Sequence, residues 1–217
     1  MVRYLDPEDH PELGEERAPR SSPGERLARA RERNAALSGT EAVEEAREVA
    51  LRKLDARACS RAELVAAMVG RGFRTEVAEE VVARLEAVGL VDDQAYADAL
   101  VRSRFAATGA SGRALRDTLS RKGLGADVIE RAVAQIDRDD EEARADDLVA
   151  RRRRSLQGVS RQTAYRRLAS MLARKGYSPS VASAAVSRAL ASWESEEAAQ
   201  EERSEEHTSE LQSHYSI

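Results

Sequence analysis

"RAELVAAMVGRGFRTEVAEEVVARL", Arg61–Leu85, returns twice further along the chain, as "GRALRDTLSRKGLGADVIERAVAQI", Gly112–Ile136, and "YRRLASMLARKGYSPSVASAAVSRA", Tyr165–Ala189. Aligned on Gly72, Gly123 and Gly176, the residue eight before the glycine is Leu64, Leu115 and Leu168, and the residue four before it is Met68, Leu119 and Leu172. Phe73, Leu124 and Tyr177 follow the glycine directly, and Val77, Val128 and Val181 stand five after it. The glycines are 51 and 53 residues apart. Recurrence of size and spacing at such a period marks a repeat architecture.

Each copy has a physical reading. Positions eight and four before the glycine share one helical face. The glycine ends that helix, because only Gly takes the left-handed C′ conformation without strain. A second helix follows, with the stripe Val77, Val81, Val82, Leu85 and Val88 in the first copy. Ser60 with Glu63 reads as a capping box. Ser178-Pro179 reads as a cap followed by proline at the first helical position, and Ser111 and Ser160 are weaker cap candidates.

A further helix is expected upstream of each pair, over Thr40–Ala58, Asp93–Ala107 and Asp140–Leu156. No stretch alternates β-branched and polar residues as a strand would. The fold class is therefore all-α, with three tandem three-helix repeats forming an elongated, curved array whose neighbours cover one another's apolar faces. The boundaries expected are a disordered or marginally helical extension over 1–39, repeats over 40–91, 92–138 and 139–194, and an acidic tail over 195–217.

Composition agrees with helix. The 217 residues are 34% charged and 4% aromatic, rich in Ala, Arg, Glu and Leu, which lose little rotamer freedom in a helix. Cores packed by Ala, Val and Leu follow, with Phe73, Phe105 and Trp193 adding bulk. The single cysteine, Cys59, excludes an internal disulfide and suits a reducing cytosol, so a cytoplasmic location and a structural thiol are expected. No apolar run approaches the roughly 18 residues of a membrane span, and the acidic start lacks a signal peptide's apolar stretch. The end of the chain breaks every pattern: "RSEEHTSELQS", Arg203–Ser213, resembles a translated sequencing-library adapter. Residues 203–217 are read as an artefact, and no function is drawn from them.

The sharpest candidate for chemistry is the adjacent pair Asp92 and Asp93 in "GLVDDQAYADALVRSR", Gly89–Arg104. The pair stands where a helix begins, ahead of the stripe Tyr96, Leu100, Val101 and Phe105. A carboxylate there accepts from the free N–H groups of the first turn and opposes the positive end of the helix dipole. A divalent cation would need further oxygen ligands, and the spacing offers none. The pair is read as a helix start. His10, His207 and His214 lie in terminal segments, and no phosphate-binding glycine loop, zinc-helix motif or cysteine-pair motif is present. "ATGASGR", Ala107–Arg113, is a glycine-containing loop with no strand before it. Neither catalysis nor a cofactor is expected.

Charge is unevenly placed. From Arg151 to Leu190 the chain carries ten Lys or Arg and no Asp or Glu, within a protein of formal net charge −4. Such polarisation favours a phosphate backbone or an acidic protein face. Any single arginine is explained as a solvated helix former, and Arg71, Lys122 and Arg174-Lys175 also complement helix ends. The cluster as a whole is read as a binding surface made of Arg151, Arg152, Arg153, Arg154, Arg161, Arg166, Arg167, Arg174 and Lys175. Arg102, Arg104, Arg113 and Arg116 are secondary candidates. Tyr165 and Tyr177 offer stacking faces, but Tyr177 fills the apolar slot of the repeat.

The strings "SRAEL…GRGF", "VVARLEAVGLVDDQAYADALVRSR", "GRALRDTLSRKGL" and "RRLASMLARKGYS" together resemble the RecX family, bacterial regulatory proteins of the RecA recombinase. The resemblance runs from about Glu41 to Leu190. It departs at Gly70-Arg71, where the family usually has two basic residues, and at Thr118, where an acidic residue is frequent. The resemblance implies tandem three-helix repeats, which agrees with the periodicity above. It also implies a non-enzymatic regulator, mainly negative, in recombination, DNA repair and the SOS response. Such a protein binds RecA, lodges in the groove of the RecA–single-stranded DNA filament, and restrains its ATP hydrolysis, growth and strand exchange. A monomer with weak direct DNA binding is expected. The competing expectations are a nucleic-acid-binding repeat protein that acts without RecA, and a scaffold for another protein.

Overall fold

The computed structural model describes residues 22–156 and 158–192; Trp193, residues 1–21 of the extension and the tail lie outside the described residues. The described residues form helices and no strand: α1 (Pro23–Ala36), α2 (Gly39–Ala56), α3 (Arg61–Val69), α4 (Thr75–Ala87), α5 (Asp93–Thr108), α6 (Gly112–Ser120), α7 (Ala126–Val133), α8 (Arg138–Arg153), a 3-10 turn (Arg154–Leu156), α9 (Arg161–Arg174) and α10 over 179–192. None of the helices is long and apolar enough to cross a membrane. Two compact units result. The first takes the residues up to Arg57 together with Leu64–Ala87, and the second takes Ala58–Glu63 together with the residues from Val88 onward.

In the first unit, α2 packs on α4 through Ala42, Val43, Ala46, Val49 and Ala50, a run at helical spacing. Opposite lie Ala78, Val81, Val82 and Leu85 of α4, with Leu64 and Met68 of α3. The stripe expected on α4 is one residue too long. Val88 is 69% exposed, because α4 stops at Ala87 and Gly89 turns the chain at φ 73°. The extension carries a helix, α1. Ser22 Oγ accepts from the Glu25 N–H while Glu25 Oε2 accepts from the Ser22 N–H, and Pro23 opens the first turn.

The second unit holds two cores. One joins Ala97 and Val101 of α5 to Leu115 and Leu119 of α6, with Leu124, and to Ile129, Ala132 and Val133 of α7. Tyr96, Leu100 and Phe105, expected on the α5 stripe, are half-buried, and small Ala97 takes its centre. The other joins Ala145 and Val149 of α8, Leu156, Ala164, Leu168 and Leu172 of α9, Tyr177, and Val181, Ala182, Ala185, Val186 and Leu190 of α10.

The three repeat glycines do the same work. Gly72, Gly123 and Gly176 have φ of 98°, 75° and 96°. After each, the N–H of Phe73, Leu124 or Tyr177 reaches back to the carbonyl of Met68, Leu119 or Leu172, at 3.3, 3.4 and 3.2 Å. This six-to-one bond satisfies a helix-end carbonyl that would otherwise lack a partner.

These turns also join helices end to end. Within the second unit, the tail of α9 meets the head of α6: the N–H groups of Ser111 and Arg113 donate to the carbonyls of Lys175 and Gly176, at 2.8 and 3.3 Å. The tail of α6 meets the residues that open α3 in the same way, with Ser60 Oγ donating to the Lys122 carbonyl at 2.5 Å. The contact of α9 with α6 brings the negative end of one helix dipole to the positive end of another.

Candidate functional site: an arginine groove on α9

Asp92 and Asp93 start helices. Asp92 caps α5, accepting from the Ala95 N–H at 2.9 Å. Asp93 serves a different helix, since its Oδ1 accepts from the backbone N–H of Arg61, the first residue of α3, at 2.8 Å. Among the described residues no group of three or more His, Cys, Asp or Glu is placed to hold a metal ion. Glu63 completes the expected capping box with Ser60 and also pairs with Lys122 Nζ at 2.8 Å.

The basic candidates divide once their partners are known. α9 buries Ala164, Leu168 and Leu172. Thr163, Arg167, Ser170, Met171 and Arg174 recur at helical spacing on another face. With Arg166 beside them and Arg152 reaching in from the end of α8, they line an open groove of about 800 Å³. Arg152, Arg166, Arg167 and Arg174 are exposed, no carboxylate of the described residues lines the groove, and Thr163 and Ser170 add hydroxyl groups to its lining. Guanidinium forks with neighbouring hydroxyls suit phosphate or carboxylate oxygens, which accept such bonds in pairs.

Other candidates are engaged elsewhere. Arg151 pairs with Asp147 at 2.9 Å, and Arg153 donates to Ser192 Oγ of α10 at 3.0 Å. Lys175 donates through Nζ to the Thr108 carbonyl at the end of α5, so it belongs to the joint between helices. Arg116 holds Glu130 with two bonds of 2.7 and 2.9 Å. That bond raises the guanidinium pKa and lowers that of the Glu130 carboxyl. Arg102 donates to Gln135, and Arg113 approaches Asp117 at 3.8 Å. Arg104, Arg154 and Arg161 are exposed and do not line the groove.

Thr163 and Ser170 are the groove residues that charge counting misses. Their signal is positional: each sits three or four residues from an arginine that lines the same face. Tyr177 is core, 5% exposed, while Tyr165 stands at the surface.

Three family models match in tandem. The model described as RecX, first three-helix domain, matches residues 46–85. The second three-helix domain matches 92–133 and the third 139–186. Regulatory protein RecX of Streptomyces coelicolor is 46% identical over 148 residues, covering 68% of this chain and 79% of that protein. Regulatory protein RecX of Mycobacterium marinum is 45% identical over 151 residues, covering 68% and 86%. The crystal structure of RecX from Lactobacillus salivarius superposes with a TM-score of 0.62 at 18% identity, covering 67% of this chain and 95% of that one. At that identity the likeness is one of fold.

Proposed function

Because the chain belongs to the RecX family of regulatory proteins, we propose that it regulates the RecA recombinase. In this reading it binds the RecA–single-stranded DNA filament and restrains ATP hydrolysis, growth and strand exchange. The observation that carries the reading beyond the family is the α9 groove, where Arg152, Arg166, Arg167 and Arg174 meet with no carboxylate of the described residues among them. A nucleoprotein filament is a repeating anionic surface, and unpaired guanidinium groups can meet it without first breaking an internal ion pair.

The repeats supply the rest of the mechanism. Several weak contacts carried on one chain add through effective concentration, so a regulator of this kind needs no single tight site. No residue set of the described chain performs chemistry in this scheme; inhibition follows from occupying filament surface that the next RecA protomer or the second DNA strand would use.

The test is ATP hydrolysis by the host's RecA on single-stranded DNA with this protein added in rising amounts. Inhibition below one protein per RecA protomer, not reproduced by a comparably basic protein, supports the reading. No effect at excess protein, with helicity verified by circular dichroism, refutes it and favours a DNA-binding protein that acts without RecA.

A further inference from the structure

We propose that α1 is a second binding face, one that takes the phosphodiester backbone of single-stranded nucleic acid directly. The proposal stands on α1 and its seat, and needs neither the α9 groove nor RecA.

The seat is specific. Within the first unit, Asn34 Nδ2 donates to the carbonyl of Arg71 at 2.8 Å, and a Cβ on Gly72 would lie 2.7 Å from the Cα of Arg31. The residue before the repeat glycine therefore gives its carbonyl to a neighbouring element, and the glycine leaves room for that element's backbone. In the second unit the Lys122 carbonyl accepts from Ser60 Oγ and Gly123 leaves room for the Ala62 methyl at the head of α3, while the Lys175 carbonyl accepts from the Ser111 N–H and Gly176 leaves room for the backbone at the head of α6. α1 thus takes, at the first repeat, the place that a preceding repeat would occupy.

Burial does not explain this helix. α1 has no buried residue, and Leu27 is its one exposed large apolar side chain. What it presents is charge. Arg26, Arg29 and Arg33 fall within roughly 60° of one another at 3.6 residues per turn and span about 10 Å. None of these three guanidinium groups bonds to another described residue, whereas Arg47 pairs with Glu44 and Arg84 with Glu80 in the same unit. Glu25 and Glu32 lie off that arc, and Glu25 is held in the capping box.

The chemistry selects the partner. A stable protein interface is built around an apolar core, and α1 offers none. Phosphate oxygens ask only for cations at regular intervals, and Arg meets them with two parallel bonds. A docked helix also presents its arginines already ordered, which lowers the cost of binding.

The probe is a fluorescein-labelled thymidine oligonucleotide, with no RecA, titrated with the full chain across a salt series. Arg26→Gln/Arg29→Gln/Arg33→Gln is compared with Arg47→Gln/Arg84→Gln/Arg138→Gln, which removes the same charge from arginines that are already paired. Three lost phosphate contacts make the slope of log K against log salt shallower by about 2. The first variant is expected to show that change and the second a much smaller one. An unchanged slope in the first variant, an equal change in the second, or a wild-type chain that leaves the oligonucleotide free at low salt each overturns the proposal. The same three proteins in the RecA ATPase assay report on the filament reading separately.

Discussion

The backbone N–H of Ser111 donates to the carbonyl of Lys175 across 2.8 Å, so the head of α6 is capped by the tail of α9, a helix that starts 50 residues later in the chain. The Arg113 N–H, which a side-chain cap would serve, donates to the Gly176 carbonyl at 3.3 Å, and Ser111 Oγ donates instead to Glu141 Oε1 at 2.6 Å. Gly176 makes the joint sterically feasible.

Gly176→Ala tests that joint. Its φ is +96°, and a Cβ there would lie 2.5 Å from the amide nitrogen of Ala114. Left-handed strain and overpacking together give an expected loss of about 2–5 kcal/mol. Gly158→Ala is the control, since Gly158 has φ +75° with nothing within 4 Å of its Cβ position. There the strain alone acts, at about 1–2 kcal/mol. Urea unfolding of the two variants should separate them; equal losses would mean that the joint does not hold the second unit together.

Most of the fold was legible because its signals are local. The six-to-one turns at Gly72, Gly123 and Gly176, the Ser60–Glu63 box and the Ser178 cap, whose Oγ accepts from the Val181 N–H, each involve residues within six positions of one another. What stayed hidden depends on approach in space. Arg116 and Arg166 look alike as sequence, yet a Glu130 side chain from α7 reaches only the first. Lys175 reads as a surface cation until the end of α5 is placed beside it. α1 reads as marginal because its seat is backbone and one asparagine, which no hydrophobic period announces.

Removing the Asp92 carboxylate should cost a helix cap and nothing else. Asp92→Ala exposes the Ala95 N–H, and a loss of about 1 kcal/mol is expected. Asp92→Asn, which retains an acceptor, should recover most of it. Thermal melting with and without a chelator checks the assignment: a melting temperature that falls when divalent cations are removed would return the pair to metal binding.

Tyr177 carries a pH dependence. Its hydroxyl has no hydrogen-bond partner among the described residues, and burial, followed by the negative charge of Glu141, pushes its pKa from 10.0 up to about 12. A phenol whose folded pKa is raised binds its proton more tightly when folded than when unfolded. Its contribution is therefore complete below pH 10 and is lost as pH rises towards 12. Tyr177→Phe should abolish that alkaline loss. It should also leave the protein at least as stable at pH 7, because a buried unpartnered hydroxyl costs about 1–3 kcal/mol. An unchanged alkaline limb in the Phe variant would assign the titration to another group.

The arginines of the second unit should not be equivalent in binding. Arg166→Glu/Arg167→Glu reverses two charges in the α9 groove, and affinity for a RecA–single-stranded DNA filament is expected to fall at least about tenfold, or 1.4 kcal/mol. The salt dependence should become shallower as well, since each lost phosphate contact removes about 0.7 from the single-strand slope. Arg116→Gln and Arg188→Gln break pairs with Glu130 and Asp146 that are exposed to solvent. They should cost under about 1 kcal/mol of stability and change filament affinity by less than about twofold. Fluorescence anisotropy on preassembled filaments gives both numbers. Reversal at Arg166 and Arg167 with affinity and slope intact would remove the groove from the binding surface. An equal loss from Arg116→Gln would mean that net charge alone, and not the unpaired geometry of the groove, attracts the filament.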